Sequence, residues 1–152
     1  MSNPSSPVKL QGGCACGDVR YECMAEPVLS LNCHCSACQR YTGTAYASVR
    51  IVPSAAFRFV RGELRYHTST SNAGHTVSRG FCPNCGSQVH GRIAEKPEVV
   101  LIAAGTLDDA SVYPPSIDVF TSRAQPWDVM NPGLAKFEEG IPAGGPSTQT
   151  AE

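Results

Sequence analysis

No charged start followed by an apolar run opens this sequence, so a secretory signal is not expected. The longest apolar stretch, Val99 to Ala104, is far too short to span a bilayer as a helix. There is no run of Lys or Arg, and the formal net charge is −1. That removes any general electrostatic attraction for nucleic acid or anionic membrane. No long helical period and no internal repeat is found, which excludes helical bundles and repeat arrays. A soluble, cytoplasmic protein without nucleic-acid or membrane partners is expected. At 152 residues it is long enough for one domain with a real core.

What the chain does have is cysteine. Seven of its eight cysteines fall into the clusters Cys14/Cys16, Cys33/Cys35/Cys38 and Cys82/Cys85. Thiols stay reduced in the cytosol, so this spacing points to metal sites rather than disulfides. Zinc fits best: it takes thiolates at about 2.3 Å in a tetrahedron, with all four positions filled in structural sites and one left open in catalytic sites.

Short strands surround the clusters. Asp18 to Cys23 alternates, with Val19, Tyr21 and Cys23 on one face. Val28 to Leu31 runs into the segment Cys33-His34-Cys35-Ser36-Ala37-Cys38. Gln39 to Gly43 reads as a helical turn stopped by the glycine. Strands are predicted over Ala45–Val52 and over Phe57–Val60 and Leu64–Thr68, the last two as a hairpin around Gly62. The segment around Cys82-Pro83-Asn84-Cys85-Gly86 reads as strand, knuckle, strand, with Gly86 supplying a left-handed turn. Glu98 to Ala104 lacks polar alternation and is predicted to be a strand buried on both faces; Ser116–Thr121 is predicted as the last strand. The fold class is mainly β, with twisted, zinc-stapled sheets, short strands and Cys-knuckle turns. Residues 1–8 and 139–152 are read as tails flanking a domain over 9–138.

The cysteines divide most simply as four plus three. Cys23 shares a face with Val19 and Tyr21 and reads as a small buried apolar group. Pairing Cys14 and Cys16 with Cys82 and Cys85 closes one site and leaves Cys33, Cys35 and Cys38 with an open corner. Spacing alone does not prove this partition. His75 or His90 is an alternative that could close the second site from across the fold. His34, between two ligands, is expected to line the site or face solvent. Trp127 reads as a core or pocket-wall aromatic.

Together these motifs resemble a known family. Gly13-Cys14-Ala15-Cys16-Gly17 with Val19-Arg20-Tyr21, Cys33 to Cys38 with Arg40 and Thr42-Gly43, Phe81 to Ser87, and Ser122 to Trp127 are similar to the glutathione-dependent formaldehyde-activating enzyme family, which shares its domain with centromere protein V. The resemblance covers roughly Leu10 to Phe137. It implies two zinc ions per chain: a structural one on Cys14, Cys16, Cys82 and Cys85, and a catalytic one on Cys33, Cys35 and Cys38. It implies a carbon–sulfur lyase that joins a thiol such as glutathione to formaldehyde or a related small aldehyde. One departure stands out: family members often carry a His in the strand before the Trp motif, where this chain has Asp118.

Three thiolates would leave the second zinc with formal charge −1. Such a site suits delivery of a sulfur nucleophile better than activation of water. Arg40 and Arg79 lie nearest the thiols in sequence as partners for substrate carboxylates, with Arg50, Arg92 and Arg123 also available. The competing readings are a non-catalytic zinc-stabilised binding module and a thiol or metal sensor.

Overall fold

The computed structural model describes residues 7–111 and 113–141. The tails expected at either end lie largely outside the described residues. In chain order the elements are β1 (Leu10–Gly13), β2 (Arg20–Cys23), β3 (Leu29–Cys33), α1 (Ser36–Thr42), β4 (Ala47–Pro53), β5 (Phe57–Arg61), β6 (Arg65–Thr70), β7 (Thr76–Phe81), β8 (Gln88–Ile93), β9 (Val99–Ala103), β10 (Ile117–Val119) and β11 (Ala135–Lys136). The protein is mainly β. An antiparallel three-stranded sheet runs β1-β2-β5, and an eight-stranded sheet runs β11-β10-β3-β4-β9-β8-β7-β6. β10 pairs parallel with both β3 and β11; the remaining pairs of the larger sheet are antiparallel.

The main core lies where the two sheets meet. Val19, Tyr21 and Cys23 project from one face of the β2 segment, as their alternation predicts, and pack with Val52, Val89, Val100 and Ile102 of the larger sheet. Burying seven such side chains, at about 1.5–3 kcal/mol for each large one, supplies the main drive to hold the sheets together. The Tyr21 hydroxyl stays satisfied, 2.8 Å from Thr106 Oγ1. Cys23 is fully buried and stands outside both cysteine clusters. A second, smaller core gathers Leu31, Ile117, Val119 and Phe137 at the parallel end.

Four local expectations are corrected. Residues 57–68 do not form a hairpin: β5 pairs with β2 in the small sheet, while β6 pairs with β7 in the large one. Gly62 carries the chain between sheets at φ 71°, where a Cβ would meet the Asp18 carbonyl oxygen at 2.2 Å. A crossover pressed against another backbone has the same turn residues as a hairpin, and sequence does not separate them. β9 is not buried on both faces. Val100 and Ile102 enter the core, whereas Val99, Leu101 and Ala103 are half-buried on the opposite side. β10 is followed by β11, which two residues of parallel pairing define and no alternation announces. Finally, α1 starts at Ser36, ahead of the turn expected from Gln39, because Cys35 caps it: its Sγ accepts from the Cys38 N–H at 3.3 Å. Gly43 ends it in the left-handed conformation, as expected.

His90 of β8 gives a pH dependence. Its ring stacks on Phe57 at 4.9 Å, and Nδ1 lies 3.0 Å from the Tyr66 hydroxyl. Burial, with the Arg92 charge, pushes its pKa down to about 4 from 6.5. The unfolded chain therefore binds more protons between these values. Stability from this group is full above pH 6.5 and falls as pH drops towards 4, by about 3 kcal/mol. Urea unfolding of the wild type and of His90→Phe at several pH values checks it; the variant is expected to lose that part of the slope.

Candidate metal centres and the cavity beside them

Two turns from different sheets build the first cluster. Cys14 and Cys16 lie between β1 and β2 of the small sheet; Cys82 and Cys85 lie between β7 and β8 of the large one. Their four Sγ atoms all lie within 4.8 Å of one another, with Cys14–Cys16 at 3.6 Å and Cys16–Cys82 at 3.8 Å. A tetrahedron with arms of about 2.3 Å has edges of about 3.8 Å. The donor set therefore fits a zinc ion in both chemistry and spacing. Backbone geometry supports the sulfurs. Val19 N–H points to Cys14 Sγ at 3.3 Å, Gly86 N–H closes the knuckle on the Cys82 carbonyl at 2.8 Å, and Ser87 Oγ lies 3.1 Å from Cys85 Sγ. The Ser87 hydroxyl, then its backbone amide, holds the Cys85 thiol down to about 5. Gly86 takes φ 77°, the left-handed turn its position predicts.

The second cluster comes from one continuous segment. Cys33 ends β3, Cys35 is the helix cap and Cys38 lies in α1; their Sγ atoms also lie within 4.8 Å of one another. Contacts from Cys33 and Cys38, the Cys38 amide and the Arg79 charge together hold Cys35 well below the usual thiol range. Cys33 is pushed up by its contacts with Cys35 and Cys38 and by burial. The trio thus favours negative charge on Cys35, a cation-attracting arrangement that also fits zinc. Among the described residues no His, Asp or Glu joins it. His90 faces Tyr66 and the small sheet; His75 lines the neighbouring cavity but stands outside the ligand group.

His34 neither lines the thiol site nor faces solvent. It is fully buried, with Nε2 2.8 Å from Asp118 Oδ1 and Nδ1 2.6 Å from Asp128 Oδ2. Each ring nitrogen of His34 therefore has a carboxylate oxygen within hydrogen-bond distance. Lys136 Nζ also donates to Asp118, 2.9 Å from its Oδ2. Parallel pairing sets Val119 beside Cys33, and the His34 amide donates to the Val119 carbonyl at 3.0 Å. Gln39 Nε2 ties the His34 carbonyl to the Arg123 carbonyl at 2.8 and 2.9 Å. Asp118 and Asp128 therefore grip the residue between two of the three thiols. Asp118 had a legible signal, a lone carboxylate among the apolar residues of a strand. Asp128 had none, since it lies beyond the last recognisable pattern.

A cavity of about 250 Å³ opens beside the trio, lined by Cys33, Cys35 and Cys38, by buried Leu31 of β3 and by the half-buried side of β4 and β9. Arg79 also lines it. Its guanidinium lies over the Tyr41 ring at 4.3 Å and donates to Ser69 Oγ at 3.4 Å, with no ion-pair partner among the described residues. The other candidate cations are placed elsewhere. Arg40 is exposed, Arg50 donates to Ser30 Oγ at 3.3 Å, Arg92 covers the Tyr66 ring and Arg123 pairs with Glu139 at 2.9 Å. Trp127 is not a core residue: it is 65% exposed. No helix among the described residues is long and apolar enough to cross a membrane.

Comparison with known proteins places this geometry. Over 90 residues the chain is 29% identical to a Colletotrichum graminicola protein named, provisionally, as a glutathione-dependent formaldehyde-activating enzyme; the match takes in 53% of this chain and about half, 46%, of that protein. A crystal structure of a Rhodobacter sphaeroides protein shares the fold at a TM-score of 0.54 and 22% identity, covering 84% of this chain and 98% of that one. The family model for glutathione-dependent formaldehyde-activating enzymes matches residues 9–123, which carry both cysteine clusters whole. This chain belongs to the glutathione-dependent formaldehyde-activating enzyme family.

Proposed function

We propose that the protein is a zinc-dependent carbon–sulfur lyase that joins a glutathione-like thiol to formaldehyde or a related carbonyl compound, or runs the reverse. On this reading residues 9–138 form the working domain. Cys14, Cys16, Cys82 and Cys85 hold a structural zinc, and Cys33, Cys35 and Cys38 hold a catalytic one. Free thiols, seven of the eight in metal-type spacing, suit a cytoplasmic, reducing location. The observation that carries the reading is the three-thiol cluster on a cavity wall, with no fourth side-chain ligand among the described residues.

In the reaction the thiol sulfur attacks the carbonyl carbon. An S–C bond forms, the C=O π bond breaks, and the thiol proton ends on the former carbonyl oxygen. Bound zinc supplies a Lewis acid that favours the thiolate form of an incoming sulfur. The chain's own part is positioning. α1 and β3 fix three sulfurs at one end of the cavity, and the buried Asp118–His34–Asp128 group fixes the backbone between them. Arg79, with no carboxylate paired to it among the described residues, offers a charge-assisted anchor for a substrate carboxylate. Holding two reactants together is the main source of rate.

The test is adduct formation by NMR with zinc-loaded protein, glutathione and formaldehyde, alongside metal analysis. Acceleration over the uncatalysed reaction and two zinc ions per chain are expected. Arg79→Gln is expected to raise KM for the thiol roughly tenfold or more, since a hydrogen bond to a charged group is worth about 1.5–3 kcal/mol. No glutathione binding and no acceleration by the zinc-loaded protein would end this reading.

A further inference from the structure

The cavity beside the three thiols has walls that formaldehyde does not need. β4 and β9 alternate there: Val52, Val100 and Ile102 turn into the core, while Val49, Ile51, Val99 and Leu101 turn to the cavity. Leu31 and Val119 extend the aliphatic wall on the strands next to β4 and β3. Formaldehyde has no hydrocarbon part to cover this surface. A hydrocarbon chain gains from the same walls by burial.

We infer that the carbonyl partner is an aliphatic aldehyde of several carbons, its chain lying on Ile51, Val99 and Leu101 and its carbonyl carbon at the Cys33/Cys35/Cys38 end. The inference rests on the thiol-addition reading above and names its substrate class. The step is the same balanced addition: RSH and R′CHO give RS–CH(OH)R′, with no oxidant or reductant.

Zinc-loaded protein, glutathione at fixed concentration, and the series propanal, butanal, pentanal and hexanal test it. These carbonyl groups have nearly equal intrinsic reactivity, so kcat/KM above the uncatalysed rate reports binding of the chain. Each fully buried methylene is expected to raise kcat/KM about three- to fourfold, or roughly thirty- to sixtyfold from propanal to hexanal. Ile51→Trp, which fills part of the cavity, is expected to cut the hexanal-to-propanal ratio at least tenfold. Reading that ratio within one preparation cancels partial misfolding, and the wild-type series stands even if the variant does not fold. Acceleration with formaldehyde but a flat response along the series overturns this inference and leaves the thiol-addition reading in place. Absence of acceleration with every aldehyde, formaldehyde included, overturns that reading and the inference with it.

Discussion

Cys82→Ser is expected to leave the chain unfolded, while Cys38→Ser is expected to leave it folded with one zinc in place of two. The two substitutions are chemically identical, so the contrast tests where the sulfurs stand. Cys82 is 1% exposed and belongs to the cluster that joins the small sheet to the large one. Structural zinc sites contribute about 10–16 kcal/mol in zinc-finger peptides, against a total stability of about 5–15 kcal/mol for a typical domain. With zinc held there as proposed, weakening the first site would remove an amount comparable to everything that keeps the fold together. Cys33, Cys35 and Cys38 come from one segment and tie no second sheet, so losing one leaves the core between the sheets intact. Circular dichroism and metal content of the two purified variants check this. A Cys82→Ser protein with wild-type thermal unfolding would show that the four-thiol cluster does not hold the sheets together.

Asp118→Ala is expected to destabilise the protein by about 3–5 kcal/mol, the usual cost of removing one partner from a buried ion pair. At about 2–4 °C per kcal/mol for a chain of this size, the melting midpoint falls by roughly 6–20 °C. Asp118 is 1% exposed and serves two partners, His34 Nε2 at 2.8 Å and Lys136 Nζ at 2.9 Å. Lys136 has carbonyl partners at Asn131 and Leu134 in reserve, but His34 is fully enclosed and keeps only Asp128. Asp118→Asn retains an acceptor for His34 and is expected to cost less than half as much. Because His34 sits between Cys33 and Cys35, the alanine variant is also expected to bind its second zinc more weakly; a chelator competition titration reads this apart from unfolding. An Asp118→Ala midpoint within about 2 °C of wild type would show that the network carries no weight.

The strands with one apolar face were legible from residues alone. Val19, Tyr21 and Cys23 alternate because a pleated strand alternates, and all three are buried. The cysteine clusters were legible as groups because thiols so close in sequence share one turn. The pairing of sheets was not. The Arg61-Gly62-Glu63 stretch carries ordinary hairpin residues, yet the strand before it joins β2 and the strand after it joins β7. β9 read as uniformly apolar, and only the cavity on one side explains why both faces are hydrophobic.

By itself the sequence determined the mainly β class and the grouping of seven cysteines, because these follow from periodicity and from short-range spacing, and its combined motifs carried the resemblance to the family. Only the tertiary structure decided that residues 14, 16, 82 and 85 meet across two sheets. Only it decided that His34 turns from the thiols to two aspartates 84 and 94 residues away in sequence. Those contacts depend on which strands pair and in what register, and pairing is chosen by burial summed over the whole chain, which no local pattern records.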